Sequence, residues 1–173
     1  MTKRRKHSDT KVEVPHPDIR VSGEKGSPQN KLRGELYTNG FKRMKDAYDK
    51  GFYIECIAIC DSMITDRLQS YIQYLLHNDD KQFVSSSVFD SLKSLGSATK
   101  EKGVRDDEFK VIENKIAEWS SKRNISVHAF VIVVPSTLDK DTETRISNLK
   151  DTANEGLVLV REVMKYTSKR IVI

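Results

Sequence analysis

Apolar residues recur at steps of three and four along most of this chain, and that spacing predicts helices. Tyr37, Phe41, Met44 and Tyr48 mark one face of a helix from about Gly34 that closes near Gly51. Ile57, Cys60, Ile64, Leu68, Tyr71 and Leu75 continue the spacing up to Asn78. Ile54, Ile72 and Leu76 widen that stripe beyond a coiled-coil seam, as a helix buried at the centre of a bundle requires. Between His77 and Asp107 the chain turns polar. Val88, Phe89, Leu92 and Leu95 predict a short helix there, with Gly96 and Gly103 as breaks in an otherwise loop-like stretch. Helical spacing returns with Phe109, Ile112, Ile116 and Trp119, after an acidic start that suits a helix N-terminus.

Ala129 to Val134 is the ambiguous stretch. It is continuous, β-branched and closed by Pro135, which by local propensity favours a strand. No second strand of comparable strength stands ready to pair with it, and a lone strand leaves backbone groups unsatisfied. A buried helix from about Lys122 to Val134 is therefore the expectation. Ser136 and Asp139 have capping-box spacing, and Ile146, Leu149, Ala153, Leu157, Val160 and Met164 outline a last long helix. Gly156 inside that helix costs stability and implies a close helix approach. The expected fold is an all-α, antiparallel bundle of about five helices over residues 34–173.

Residues 1–33 read differently. Three prolines, two glycines and many polar residues show no apolar period there, so a disordered basic tail is expected. Lys3-Arg4-Arg5-Lys6 could hold RNA or another polyanion loosely. The tail also carries much of the net charge of +5, so that excess says little about the folded part.

Composition narrows the classes. A chain of 173 residues with 37% hydrophobic and 32% charged residues suits one globular domain. No apolar run approaches a membrane span and the N-terminus lacks the apolar core of a signal peptide, so a cytoplasmic protein with no membrane partner is expected. Cys56 and Cys60 lie four apart without a second Cys or His pair at zinc spacing, which predicts buried thiols and no metal. There is no GxGxxG, no phosphate loop ending in Gly-Lys-Ser/Thr and no GxSxG, so no cofactor is expected and triad hydrolases fit poorly.

One polar run stands against the apolar background. Lys122-Arg123-Asn124-Ile125-Ser126-Val127-His128 sets a permanent cation, an amide and an imidazole close together. Guanidinium matches phosphate with paired donors, and imidazole takes and gives protons near neutrality. On RNA, His128 could assist attack by the 2'-hydroxyl or protonate the leaving oxygen, while Arg123 stabilises charge on phosphorus and Asn124 positions a partner. In a helix, Asn124 and His128 share a face but Arg123 and His128 diverge by about 140°. A helix starting near Lys122 would ease that divergence and offer its N–H groups to phosphate. Glu55, Asp61 and Asp66 are the nearby carboxylates that could orient His128 or pair with Arg123. His77, Trp119, Tyr71 and Tyr74 have sufficient explanations in capping and packing.

Arg123-Asn124-Ile125-Ser126-Val127-His128 resembles the motif of the HEPN superfamily, in which arginine and histidine bracket four to six residues with a polar one usually first. The resemblance implies a small helical bundle and a metal-independent endoribonuclease of the toxin or antiphage-effector type. It further implies a homodimer that joins two motifs, catalytic Arg123, Asn124 and His128, and 2',3'-cyclic phosphate ends on the cut RNA, with tRNA a candidate substrate. Members silenced by a partner nucleotidyltransferase carry a tyrosine two residues beyond the histidine; Phe130 stands there in this chain. A non-catalytic module that binds RNA or a nucleotide or dimerises remains the alternative, as does an antitoxin-like partner of a separate nuclease.

Overall fold

A computed structural model describes residues 28–76, 87–131 and 142–171, and the chain there is all-α. Five helices follow in order: α1 (Pro28–Asp49), α2 (Tyr53–Leu76), α3 (Val88–Glu101), α4 (Asp107–Val131) and α5 (Thr142–Arg170). The expectations for the basic tail before Pro28, for His77, for Val133 and Val134, and for the Ser136/Asp139 cap lie outside the described residues.

The predicted stripes are the buried ones. Ile57, Cys60, Ile64, Leu68, Tyr71 and Leu75 are all buried, as are Cys56, Met63 and Ile72 on the flanks of the same helix. Burial on that many sides makes α2 the centre of the bundle, packed by α1, α3 and α5. Each fully buried Ile, Leu or Phe contributes roughly 1.5–3 kcal/mol. Cys56 and Cys60 are free, buried thiols, and Cys60 Sγ lies 3.2 Å from Met44 Sδ.

Helix directions add what periodicity cannot supply. α1 runs antiparallel to α2, with Arg33 against Asp66, Met44 against Cys60 and Arg43 against Glu55. α4 and α5 are also antiparallel, tied by Lys115–Glu162 and Lys122–Glu155. The central pair differs. Gly156 meets Cys60, Tyr166 meets Tyr71 and Arg67 meets Thr167, so the register rises together and α2 and α5 run parallel.

Three boundaries differ from expectation. α1 starts at Pro28 rather than Gly34, because Arg33 is drawn onto α2 by Asp66 and Ser70 and proline at a helix start forfeits no hydrogen bond. α3 continues through Gly96 to Glu101, since Leu95, Ala98 and Thr99 are all buried and a Cβ at Gly96 would already stand 3.3 Å from Glu113. The turn falls at Gly103, whose φ of +66° suits glycine. α4 starts at Asp107, where Asp106 Oδ1 accepts from the Phe109 N–H, and runs unbroken to Val131. Lys122 therefore begins no helix, and the expected cluster of free N–H groups beside Arg123 does not form. Ala129 to Val131 are helical, not strand, but the segment is not the buried helix expected, since Lys122, Asn124, Ile125, His128 and Phe130 are all exposed.

Candidate active site

The four faces of α4 explain where each polar group points. Trp119, Lys122 and Ser126 face α5: Trp119 is buried with its Nε1 donating to the Thr152 carbonyl at 2.9 Å, and Ser126 shares a hydrogen bond with the Thr152 hydroxyl. Phe109, Ile112 and Ile116 enter the core. Arg123, Val127 and Phe130, spaced by four and three, form the edge turned towards α2. Asn124 and His128 share the solvent face, both exposed and without a hydrogen-bonding partner among the described residues.

Arg123 leaves its neighbours' face. Its Nη2 donates to Asp61 Oδ1 on α2 at 2.7 Å, while Nε is buried and has no acceptor. The two side chains are 25% and 27% exposed, so this pair sits at the mouth of the α2–α4 cleft rather than in the core. Burial pushes the Asp61 carboxyl above its ordinary value, outweighing the opposing pull of Arg123. Asp61 thus emerges as a site neighbour. The sequence named it only as one of three carboxylates. The other two are committed elsewhere, Asp66 to Arg33 and Glu55 to Arg43.

Asn124 and His128 therefore share a face, while Arg123 is turned about 140° from His128 around the unbroken helix, with part of its fork taken by a carboxylate. The arrangement supplies a proton-transfer group and a partly accessible cation on separate faces of one helix, and the easing of their divergence by a helix start at Lys122 does not occur. It supplies no walls, since Asn124 and His128 look outward, and Ile125 next to them is 67% exposed. Lys122 is spent on Glu155 at 2.8 Å. Among the described residues no group of three His, Cys, Asp or Glu side chains could hold a metal, and no helix is long and apolar enough to cross a membrane.

No protein-family model matches the chain, and no curated protein or solved structure matches it at a significant level.

Proposed function

We propose that the chain is a metal-independent endoribonuclease of the HEPN type, of the toxin or antiphage-effector class, acting as a homodimer. The observation that carries this reading is the exposure of Asn124 and His128 on one face of α4, with a guanidinium anchored by Asp61 on the α2-facing edge of the same helix. His128 is the general acid or base, Arg123 the clamp on the phosphoryl oxygens and Asn124 the positioning residue. Asp61 accepts from Nη2 and so holds one arm of the guanidinium in place, as an orienting partner does for a catalytic cation. A second α4 face, brought up against Ile125, would enclose the phosphodiester that one protomer leaves open to water.

The reaction needs no group beyond these. A 2'-hydroxyl attacks the adjacent phosphorus as its proton passes to a base, the 5'-oxygen departs with a proton from the acid, and a 2',3'-cyclic phosphate and a 5'-hydroxyl remain. Incubation of the purified protein with total RNA in EDTA, followed by end-group analysis, tests it. Cyclic phosphate ends support the reading, with tRNA the next substrate; intact RNA over a wide range of substrates argues against it.

One observation favours a non-catalytic RNA-binding or dimerising module instead. Asp61 already occupies Arg123 Nη2, and a phosphate would have to share the fork or displace the carboxylate. Such a module binds RNA without cutting it.

A further inference from the structure

α2 and α4 both pack along α5 but scarcely touch each other. Between them runs a cleft whose two sides keep a constant register: Arg123 meets Asp61, and seven residues along each helix Phe130 faces Ile54. One end is the ion pair at the candidate active site. The other end opens into an apolar groove of about 430 Å³ lined by Phe52, Tyr53, Ile54, Phe130, Ile146 and Leu149. Phe52 is 58% exposed and Phe130 40%, so two aromatic rings stand partly open to solvent. Seven residues of helix separate Phe130 from Arg123 by about 10 Å on the same side of α4.

The groove does not end at its apolar lining. Phe52 and Glu55 are shared with a second groove of about 380 Å³ on the α1 side, where Lys42, Arg43 and Lys50 meet Asp46 and Glu55. Arg43 pairs with Glu55 at 2.7 Å, whereas Lys42 and Lys50 pair with no carboxylate among the described residues. An aromatic floor thus passes directly into a surface whose three cations exceed its two carboxylates by one.

We infer that this groove binds a base of single-stranded RNA, with the flanking backbone on Lys42 and Lys50, and so sets which nucleotide lies next to Arg123. The inference rests on the ribonuclease reading for its orientation but not for the binding itself. Flat apolar rings alternating with anions are what single-stranded RNA presents, and bases stack on exposed aromatic side chains without needing a paired partner. The volume falls within the range of small-ligand sites.

The full chain carrying His128→Ala, titrated with a fluorescein-labelled single-stranded RNA 12-mer at low salt, provides the test. Phe52→Ala and Phe130→Ala in that background should each weaken binding roughly tenfold or more, as loss of one stacked base does. Lys42→Glu with Lys50→Glu should weaken it and flatten its salt dependence. A 4-thiouridine probe should crosslink to peptides containing Phe52 or Phe130. Unchanged affinity in both phenylalanine variants, or no binding by the parent protein, overturns the inference. Unchanged affinity with loss of self-association overturns it in favour of a second copy of the chain. Metal-free cleavage by otherwise wild-type protein is scored separately. Cutting without phenylalanine dependence removes the groove and keeps the nuclease; phenylalanine-dependent binding without cutting keeps the groove and removes the nuclease.

Discussion

Arg67 and Arg123 both reach between helices of this bundle, from α2 to α5 and from α4 to α2, and their surroundings part them. Arg67 is 0% exposed. Its Nε and Nη2 both donate to the Thr167 hydroxyl, at 3.2 and 2.7 Å, and Nη1 has no partner. The nearby Asp66 carboxylate is held by Arg33 and by the Tyr37 hydroxyl instead. Burial lowers the Arg67 pKa to about 10. Arg123, by contrast, has a carboxylate at 2.7 Å and a quarter of its side chain in solvent. A guanidinium with no path to solution can only pack, whereas one tethered at a cleft mouth can meet a phosphate. The contrast assigns Arg67 to architecture and leaves Arg123 open to a ligand.

Substitutions sharpen that division. Arg123→Gln should lower RNA cleavage by about 10² to 10³, the cost of losing one donor to developing charge, while leaving the far-UV spectrum of a helical protein. A single-turnover assay beside circular dichroism reads both. Arg67→Ala should cost about 2–5 kcal/mol in urea unfolding, because it empties a filled site in the core. Arg67→Met, which fills the space without a buried charge, should stay within about 1.5 kcal/mol of wild type and cleave normally. Thr167 is not orphaned by the change, since its hydroxyl also donates to the Val163 carbonyl. If Arg67→Met abolished cleavage with stability intact, the division would fail.

Smaller effects test the frame that holds the site. A Cβ at Gly156 would stand 3.0 Å from Cys60 Sγ and from the Trp119 ring. Gly156→Val should therefore cost about 1–3 kcal/mol in thermal or urea unfolding, more than helix propensity returns. Asp61 gives a pH dependence. Its folded pKa is raised by burial, so the folded state binds the proton more readily than the unfolded one, and this contribution favours folding at low pH and is lost as pH rises through the raised value. The stability of wild type relative to Asp61→Asn should then be greater at about pH 3 than at neutral pH, as paired unfolding curves would show. The opposite slope would mean that Arg123 dominates the carboxylate's surroundings.

The helices were legible in the chain because burial in a helix imposes a period, and α2 shows it without interruption from Ile57 to Leu75. Gly156 was legible for a related reason, as a residue whose cost inside a helix needs a repaying contact. Direction was not legible. Period says which face is buried but not against what, so the parallel α2–α5 pair appears only when Gly156 is seen against Cys60. At the site, the i, i+4 relation of Asn124 and His128 followed from helix geometry alone. The Arg123–Asp61 pair did not, because it joins positions 62 residues apart and Glu55, Asp61 and Asp66 were equivalent on paper. A helix start near Lys122 is expected from the sequence because it would ease the divergence of Arg123 and His128; Ile112, Ile116 and Trp119 pack firmly enough to carry α4 straight through it.

The central claim is that His128 performs chemistry on RNA rather than serving the fold. Its most direct test is the metal-free cleavage rate of His128→Ala against wild type in EDTA, with the unfolding temperature measured on the same samples. The account predicts a rate lower by about 10² to 10⁴ with an unchanged unfolding temperature, as expected for removal of an exposed general acid or base. Equal cleavage by the two proteins would contradict it.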